Sequence, residues 1–280
     1  MKKRIVLCAD DYGQAKAISL AILSLLEKGR LSAASCMVNT NDWAEHAQWL
    51  LPFHHQVDLG LHFNLTQGRA LSAEYRETHG ENFYSLTKVM RLALMHSFSG
   101  SAIEAELNAQ IDRFEQALGK LPDHLDGHQH VHQFPVIREA VVRVYEKRLR
   151  PKKAYIRLIN PSFRMSDAFR QFKKIIVYAM GSLPMKRLLS VHGIPHNLSF
   201  AGIYSFDRSA QYPQFFQDFL QVIGDEGLIM CHPGFSAPEG EDLIADARLA
   251  EYQYLGSPQF VEDCEAARVV VKRFGEALAL

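Results

Sequence analysis

The chain has 280 residues, of which 48% are hydrophobic and 22% charged, and its 31 basic and 31 acidic side chains cancel. That composition supports a large buried core and excludes a disordered or low-complexity chain. Zero net charge removes bulk electrostatics as a route to nucleic acid or an anionic membrane surface, so no nucleic-acid partner is expected.

Read from the start, Lys2-Lys-Arg4 has the positive character of a signal peptide. The apolar run behind it stops after about five residues at Asp10-Asp11, too short for one. Arg4–Ala9 reads as a buried strand. Ala15–Lys28 carries Ile18, Ala21, Ile22, Leu25 and Leu26 at helical spacing and stops at Gly29. Ser32–Val38 is a second strand and Trp43–Leu51 a second helix. Val57–Leu65 alternates, with apolar residues on one face and His62 and Asn64 on the other, so it is a third strand. Thr66–Tyr84 is a polar, turn-rich loop of the length that usually serves function, and helices follow over Ser85–His96 and Ser101–Leu118. Asp123–Asp126 is a brief fourth strand, Pro135 can open a helix over Val136–Lys147, and Ala154–Leu158 is a fifth strand. The basic run Lys147-Arg-Leu-Arg-Pro-Lys-Lys153 reads as a solvated helix end and turn. Asn160–His196 is mostly helical, broken at Gly181-Ser-Leu-Pro184. Leu198–Tyr204 and Gly227–Cys231 are the last strands, with helices over Ile244–Leu255 and Ser257–Ala279. No segment has the length of a membrane span. The four cysteines lie far apart without CxxC spacing, so a reduced, cytoplasmic chain is expected.

Alternating strands and helices imply a parallel β/α architecture. About seven strands in this length predict a single β/α barrel-like domain over residues 1–280, complete or missing one unit. Asp10-Asp11, His62, His128 and His232 each fall at or just past a strand end. In a β/α barrel those ends converge on the face that carries the active site.

The densest feature is His124-Leu-Asp-Gly-His-Gln-His-Val-His132, four of the thirteen histidines with Asp126 in nine residues. An extended chain would put His128, His130 and His132 on one face; a helix would pair His128 with His132. Either presents two imidazoles to one ion. Asp10-Asp11 offers a carboxylate for a metal and another to take a proton from bound water, although Asp11 could instead cap the following helix. His62 could be a hydrogen-bonded core histidine, and His232, aimed by Pro233, could face solvent or serve as a general acid.

Ala9-Asp-Asp-Tyr-Gly13, Leu59-Gly-Leu-His62, the histidine cluster and Cys231-His-Pro-Gly234 together resemble the motifs of the YdjC-like carbohydrate deacetylases, which include the chitooligosaccharide deacetylases. The motifs span nearly the whole chain, and Arg248, Glu251 and Leu255 resemble the family's C-terminal segment. The resemblance implies a β/α barrel-like fold, a divalent metal (magnesium in the usual family assignment) and removal of acetyl groups from N-acetylated amino sugars or oligosaccharides. Carried over, it makes Asp11, His62 and His128 the metal ligands, Asp10 the base and His232 the acid; His124, His130 and His132 receive no role. The ligand types alone leave zinc or another transition metal open, and the sequence leaves a homodimer open. Within this reading Asp11 binds the ion directly while Asp10 lies behind it, and Thr66–Tyr84 and Pro161–Pro195 overhang the site. Two other readings stand beside it: metal-dependent hydrolysis of a phosphoester or cyclic amide, and a non-catalytic sugar-binding protein. The first is separated by product assays. The second is disfavoured by a base and an acid flanking the same ion.

Overall fold

The computed structural model describes residues 2–160, 172–236 and 242–275, with the side chains of 172–180 excepted. In chain order its elements are β1 Lys3–Tyr12, α1 Lys16–Glu27, β2 Ala33–Cys36, α2 Trp43–Leu50, β3 Asp58–Phe63, α3 Ala73–His79, α4 Leu86–Leu94, α5 Gly100–Leu118, β4 His124–Gly127, α6 Ile137–Val144, β5 Tyr155–Ile156, α7 Phe172–Val191, β6 Ser199–Ala201, α8 Tyr212–Val222, β7 Gly227–Cys231, α9 Ala245–Leu255, α10 Pro258–Ala266 and β8 Val269–Val271. The strands run parallel in the order β5-β4-β3-β2-β1-β7-β6, with β8 against the first residues of β1.

Strand alternation divides the interior into two layers. Ile5, Leu7 and Ala9 of β1, Leu59 and Leu61 of β3 and Ile229 of β7 face outward and pack with helical residues such as Ile22, Leu25 and Ile111. Each such Leu or Ile contributes on the order of 1.5–3 kcal/mol by leaving water. The opposite face of the same strands turns inward. There Val6, Cys8, Ala33, Leu228 and Met230 form a smaller core with Tyr155, Phe200 and Phe274, and the Tyr155 and Phe274 rings stack 4.1 Å apart. The polar residues His62, His124, Asp126 and Arg157, all buried, share the inward parity of their strands. The barrel is therefore apolar toward one end and charged toward the other.

Its seam is closed by a side chain. Between the outer edges of β5 and β6 the Ile156 N–H donates to Pro195 O (2.9 Å) and the Phe200 N–H to Asn160 O (3.0 Å). Between those two bonds Asn197, fully buried, accepts from the Leu158 N–H through Oδ1 and donates to Leu158 O through Nδ2, both at 2.8 Å. A carboxamide is a peptide group in miniature, and here it replaces a missing rung of the ladder.

The β/α barrel-like expectation holds, with differences at the margins. β8 lies where the sequence suggested an unbroken terminal helix: three consecutive valines favour the pleated chain, and the Lys3 N–H already bonds Arg268 O. The loop Thr66–Tyr84 contains α3, capped by Ser72, whose hydroxyl accepts from the Tyr75 N–H. α7 runs through Pro184 instead of breaking there, while the start of the Asn160–His196 stretch, residues 161–171, lies outside the described residues. Among those residues no helix is long and apolar enough to cross a membrane.

Candidate active site

β1 alternates regularly as far as Ala9 and then breaks. Its register against β2 shifts between Ala9 and Tyr12, and Asp11 has a φ of 66°, in the left-handed region that non-glycine residues seldom adopt. This is the geometry of a β-bulge. A regular strand would point Asp10 and Asp11 to opposite faces; the bulge lets both line one cavity of about 970 Å³. The chain thus turns at Asp11 itself. Asp11 does not cap α1, whose N-cap position is Ala15 without a side-chain cap bond.

At the cavity floor the structure brings together Asp11, His62 and His128. Asp11 Oδ1 lies 3.0 Å from His128 Nδ1 and 3.3 Å from His62 Nε2. His62 and Asp126 are register partners on β3 and β4, and His62 Nδ1–H donates to Asp126 Oδ1 at 2.6 Å, an oxygen that also accepts from Ser35 Oγ at 2.5 Å. That bond commits Nδ1 to the proton, so neutral His62 turns its Nε2 lone pair toward the Asp11 carboxylate. Two lone-pair groups at this distance repel unless a cation or a proton stands between them. Carboxylate-supported imidazole is the usual arrangement behind a metal ligand, so the donor set fits a divalent ion. The same surroundings favour positive charge in general: burial pushes His62 down, but Asp126 and Asp10 outweigh it and raise its pKa to about 10, so a proton competes with an ion for Nε2. Burial likewise pushes the Asp11 carboxyl up, but Arg248 and His128 hold it well below the usual carboxylate range.

Two further groups have ligand atoms equally close, Cys8–His124–Asp126 and Asp10–His62–Asp126. Neither suits an ion. Arg157, fully buried, already places a guanidinium among them. It forks onto both oxygens of Asp10 (2.6 Å each), reaches Asp126 Oδ2 at 2.6 Å, and lies 3.2 Å from Cys8 Sγ. Burial also raises the Cys8 thiol well above its ordinary range, against the thiolate a metal needs. Cys8, His124 and Asp126 are absent from the cavity wall, whereas Asp11, His62 and His128 line it.

Asp10 and His232 face each other on that wall, His232 Nε2 lying 3.9 Å from Asp10 Oδ2. His232 follows β7, and its backbone N–H donates to Glu251 Oε2 at 2.5 Å, while Glu251 Oε1 accepts from Tyr204 Oη at 2.7 Å. Burial lowers the His232 pKa, partly opposed by Asp11 and Asp10. From α9, Arg248 donates through Nη2 to Asp11 Oδ2 (2.8 Å) and through Nε to Asp242 Oδ2 (2.5 Å).

The histidine cluster takes neither expected form. Gln129 and His130 have φ of 52° and 61° within a short 3-10 segment, and the four imidazoles scatter. His128 joins Asp11, and His130 lines the cavity with its ring edge-on to Phe200. His132 Nε2–H donates to Arg157 O at 2.9 Å. His124 fills the barrel, stacked on Tyr155, in space that exists because residue 60 is glycine: a Cβ there would lie 2.2 Å from the imidazole. Arg157 is the residue that sequence reading passed over. Its signal was a lone guanidinium inside Tyr155-Ile-Arg-Leu-Ile159, where a buried charge must be paired. Of the two loops expected over the site, Thr66–Tyr84 contributes Gln67 to the wall; of Pro161–Pro195, residues 161–171 lie outside the described residues and none of 181–195 lines the cavity.

The comparisons agree with this architecture. A carbohydrate deacetylase of Danio rerio is 34% identical over 148 residues, covering 51% of this chain and 46% of that protein. A carbohydrate deacetylase of Geobacillus stearothermophilus is 36% identical over 155 residues, 54% of this chain and 60% of its own. The chain thus spans about half the length of the curated relatives it matches. A provisionally named cellobiose-phosphate cleavage protein of Enterococcus faecalis V583 superposes with a TM-score of 0.75 at 18% identity, with 100% of both chains covered, which shows the shared fold. The model of the YdjC-like protein family matches residues 4–266, and the chain belongs to that family.

Proposed function

We propose that the protein is a metal-dependent hydrolase that removes acetyl groups from N-acetylated amino sugars or oligosaccharides. The observation that carries this reading is the pairing at one cavity floor of an ion-type donor set, Asp11, His62 and His128, with a carboxylate and an imidazole, Asp10 and His232, 3.9 Å apart. Simple binding needs no such base and acid. The names of the relatives support the acetylated-sugar substrate.

Asp11, His62 and His128 would hold the divalent ion, magnesium by family and zinc or another transition metal by ligand type; when bound, it polarises the acetamide carbonyl and acidifies water. Asp10 takes the proton from the attacking water. Its two oxygens are held by the Arg157 fork, which orients the carboxylate. The hydroxide oxygen bonds the carbonyl carbon, the carbon–nitrogen bond breaks, and His232 gives its proton to the departing nitrogen. The products are acetate and a free amino sugar. Arg248 keeps Asp11 ionised and in place, and Glu251 fixes the turn that aims His232.

The test is acetate release from an N-acetylated chitooligosaccharide by protein stripped with a chelator and then given magnesium, manganese, cobalt or zinc, beside phosphate esters under the same conditions. Acetate release restored by at least one ion is expected. No acetate with any ion, or phosphate release instead, overturns the reading.

A further inference from the structure

At the cavity mouth a hydrogen-bond chain runs outward from the Arg248–Asp11 pair, and its direction can be deduced. Arg248 Nη2, already bonded to Asp11, also donates to Gln14 at 3.1 Å. A guanidinium has only donors, so the Gln14 atom facing it is Oε1. The amide nitrogen of Gln14 must then face the other way, and it donates to Gln67 at 2.8 Å. The Gln67 atom receiving that bond is in turn Oε1, which leaves its NH₂ as the terminal donor. Carboxamide orientation is ordinarily ambiguous; here the donor-only end of the chain sets it twice over. Gln14 and Gln67 both line the cavity, and Gln67 is exposed there.

The backbone of Gln67 is also held. Asn64, fully buried, closes the loop by accepting the Thr66 N–H (2.9 Å) and the Gln67 N–H (3.1 Å) through Oδ1. Gln67 O accepts from Asn64 Nδ2 (2.7 Å) and Asn39 Nδ2 (3.0 Å). With its backbone held by Asn64 and its Oε1 by Gln14, the Gln67 carboxamide loses less entropy on binding than a free side chain. Carboxylates outnumber the fixed cation at the mouth: among the described lining residues Arg248 is the one permanent cation, and Asp11 and Asp242 both bond it. The mouth therefore disfavours an anion and offers the Gln67 NH₂ to a neutral oxygen.

We infer that the Gln67 NH₂, oriented through Gln14, is a specificity-determining contact that binds a hydroxyl or ring oxygen of the sugar unit next to the one deacetylated, so that an oligosaccharide is preferred to a single amino sugar. This rests on the proposed deacetylation for which unit lies at the ion; the contact itself is a binding claim. One neutral hydrogen bond is worth about a 3- to 10-fold change in affinity.

The test compares wild type, Gln67→Ala and Gln67→Glu, all metal-loaded. Gln67→Glu keeps an oxygen for Gln14 to donate to but removes the outward donors. Both variants should raise KM for an N-acetylated disaccharide about 3- to 10-fold more than for the monosaccharide. The same variants are titrated calorimetrically with the deacetylated disaccharide and monosaccharide, which need no turnover. A wild type that releases no acetate refutes the proposed function, and the calorimetry still decides the subsite: it stands if wild type prefers the disaccharide and both variants lose that preference. It falls if wild type binds the two sugars equally, or if either variant keeps the preference.

Discussion

Replacing Arg157 by Met removes the guanidinium between two carboxylates while keeping most of the side-chain volume. Asp10 and Asp126 are 1% and 0% exposed, and Arg157 supplies three 2.6 Å contacts to them. Water cannot take its place without entering the barrel. Breaking a buried ion pair from one side costs about 3–5 kcal/mol. At about 2–4 °C per kcal/mol for a chain somewhat shorter than this one, the melting temperature should fall by roughly 6–20 °C. The measurement is urea denaturation followed by circular dichroism, with thermal melts alongside. Adding Asp10→Asn and Asp126→Asn to Arg157→Met should recover more than half of the loss, because the carboxylates left unpaired are then neutral. A loss under about 1 kcal/mol for Arg157→Met alone, the value of an exposed pair, would refute the picture of a sealed ionic core.

Four further outcomes are expected. Asp11→Asn should weaken metal uptake in a chelator competition, while Asp10→Asn should retain the ion and lose activity by about 10²–10⁴-fold; equal metal loss would make the two joint ligands. His128→Ala should lose bound metal and acetate release together, and full occupancy with lost activity would move His128 to proton transfer. Gly60→Ala places a Cβ 2.2 Å from the His124 ring, and overpacking of this kind costs about 1–3 kcal/mol in urea denaturation; no change would mean that the imidazole swings aside freely. Burial raises the Glu251 carboxyl to about 7 from its ordinary 4.5. Between those pH values the folded chain keeps a proton that the unfolded chain gives up, so this group makes stability fall as pH rises through that window, by up to about 3 kcal/mol. Glu251→Gln should remove that slope in urea denaturation across pH 4.5–7.5, and an unchanged slope would contradict it.

The sequence by itself determined the parallel β/α order, because alternation within Val57–Leu65 and helical spacing within Ala15–Lys28 are local patterns that burial enforces one element at a time. It also marked His62, His128, His232 and the Asp10-Asp11 pair as strand-end residues, since a polar side chain closing an apolar run is visible without any neighbour. What it missed depends on partners far along the chain. β8 is a strand because Val269–Val271 meets the first residues of β1 across the sheet. Arg157 looked like a lone charge in a strand until Asp10, 147 residues away, proved to be its partner. The bulge at Asp11 and the left-handed Gln129 and His130 decide which carboxylates and imidazoles share a cavity, and backbone strain of that kind is sustained by surrounding packing, not by the residues that bear it. Only the tertiary structure could distribute the histidine cluster between cavity and core, because His124 and His132 owe their places to the space beside Gly60 and to the Arg157 carbonyl.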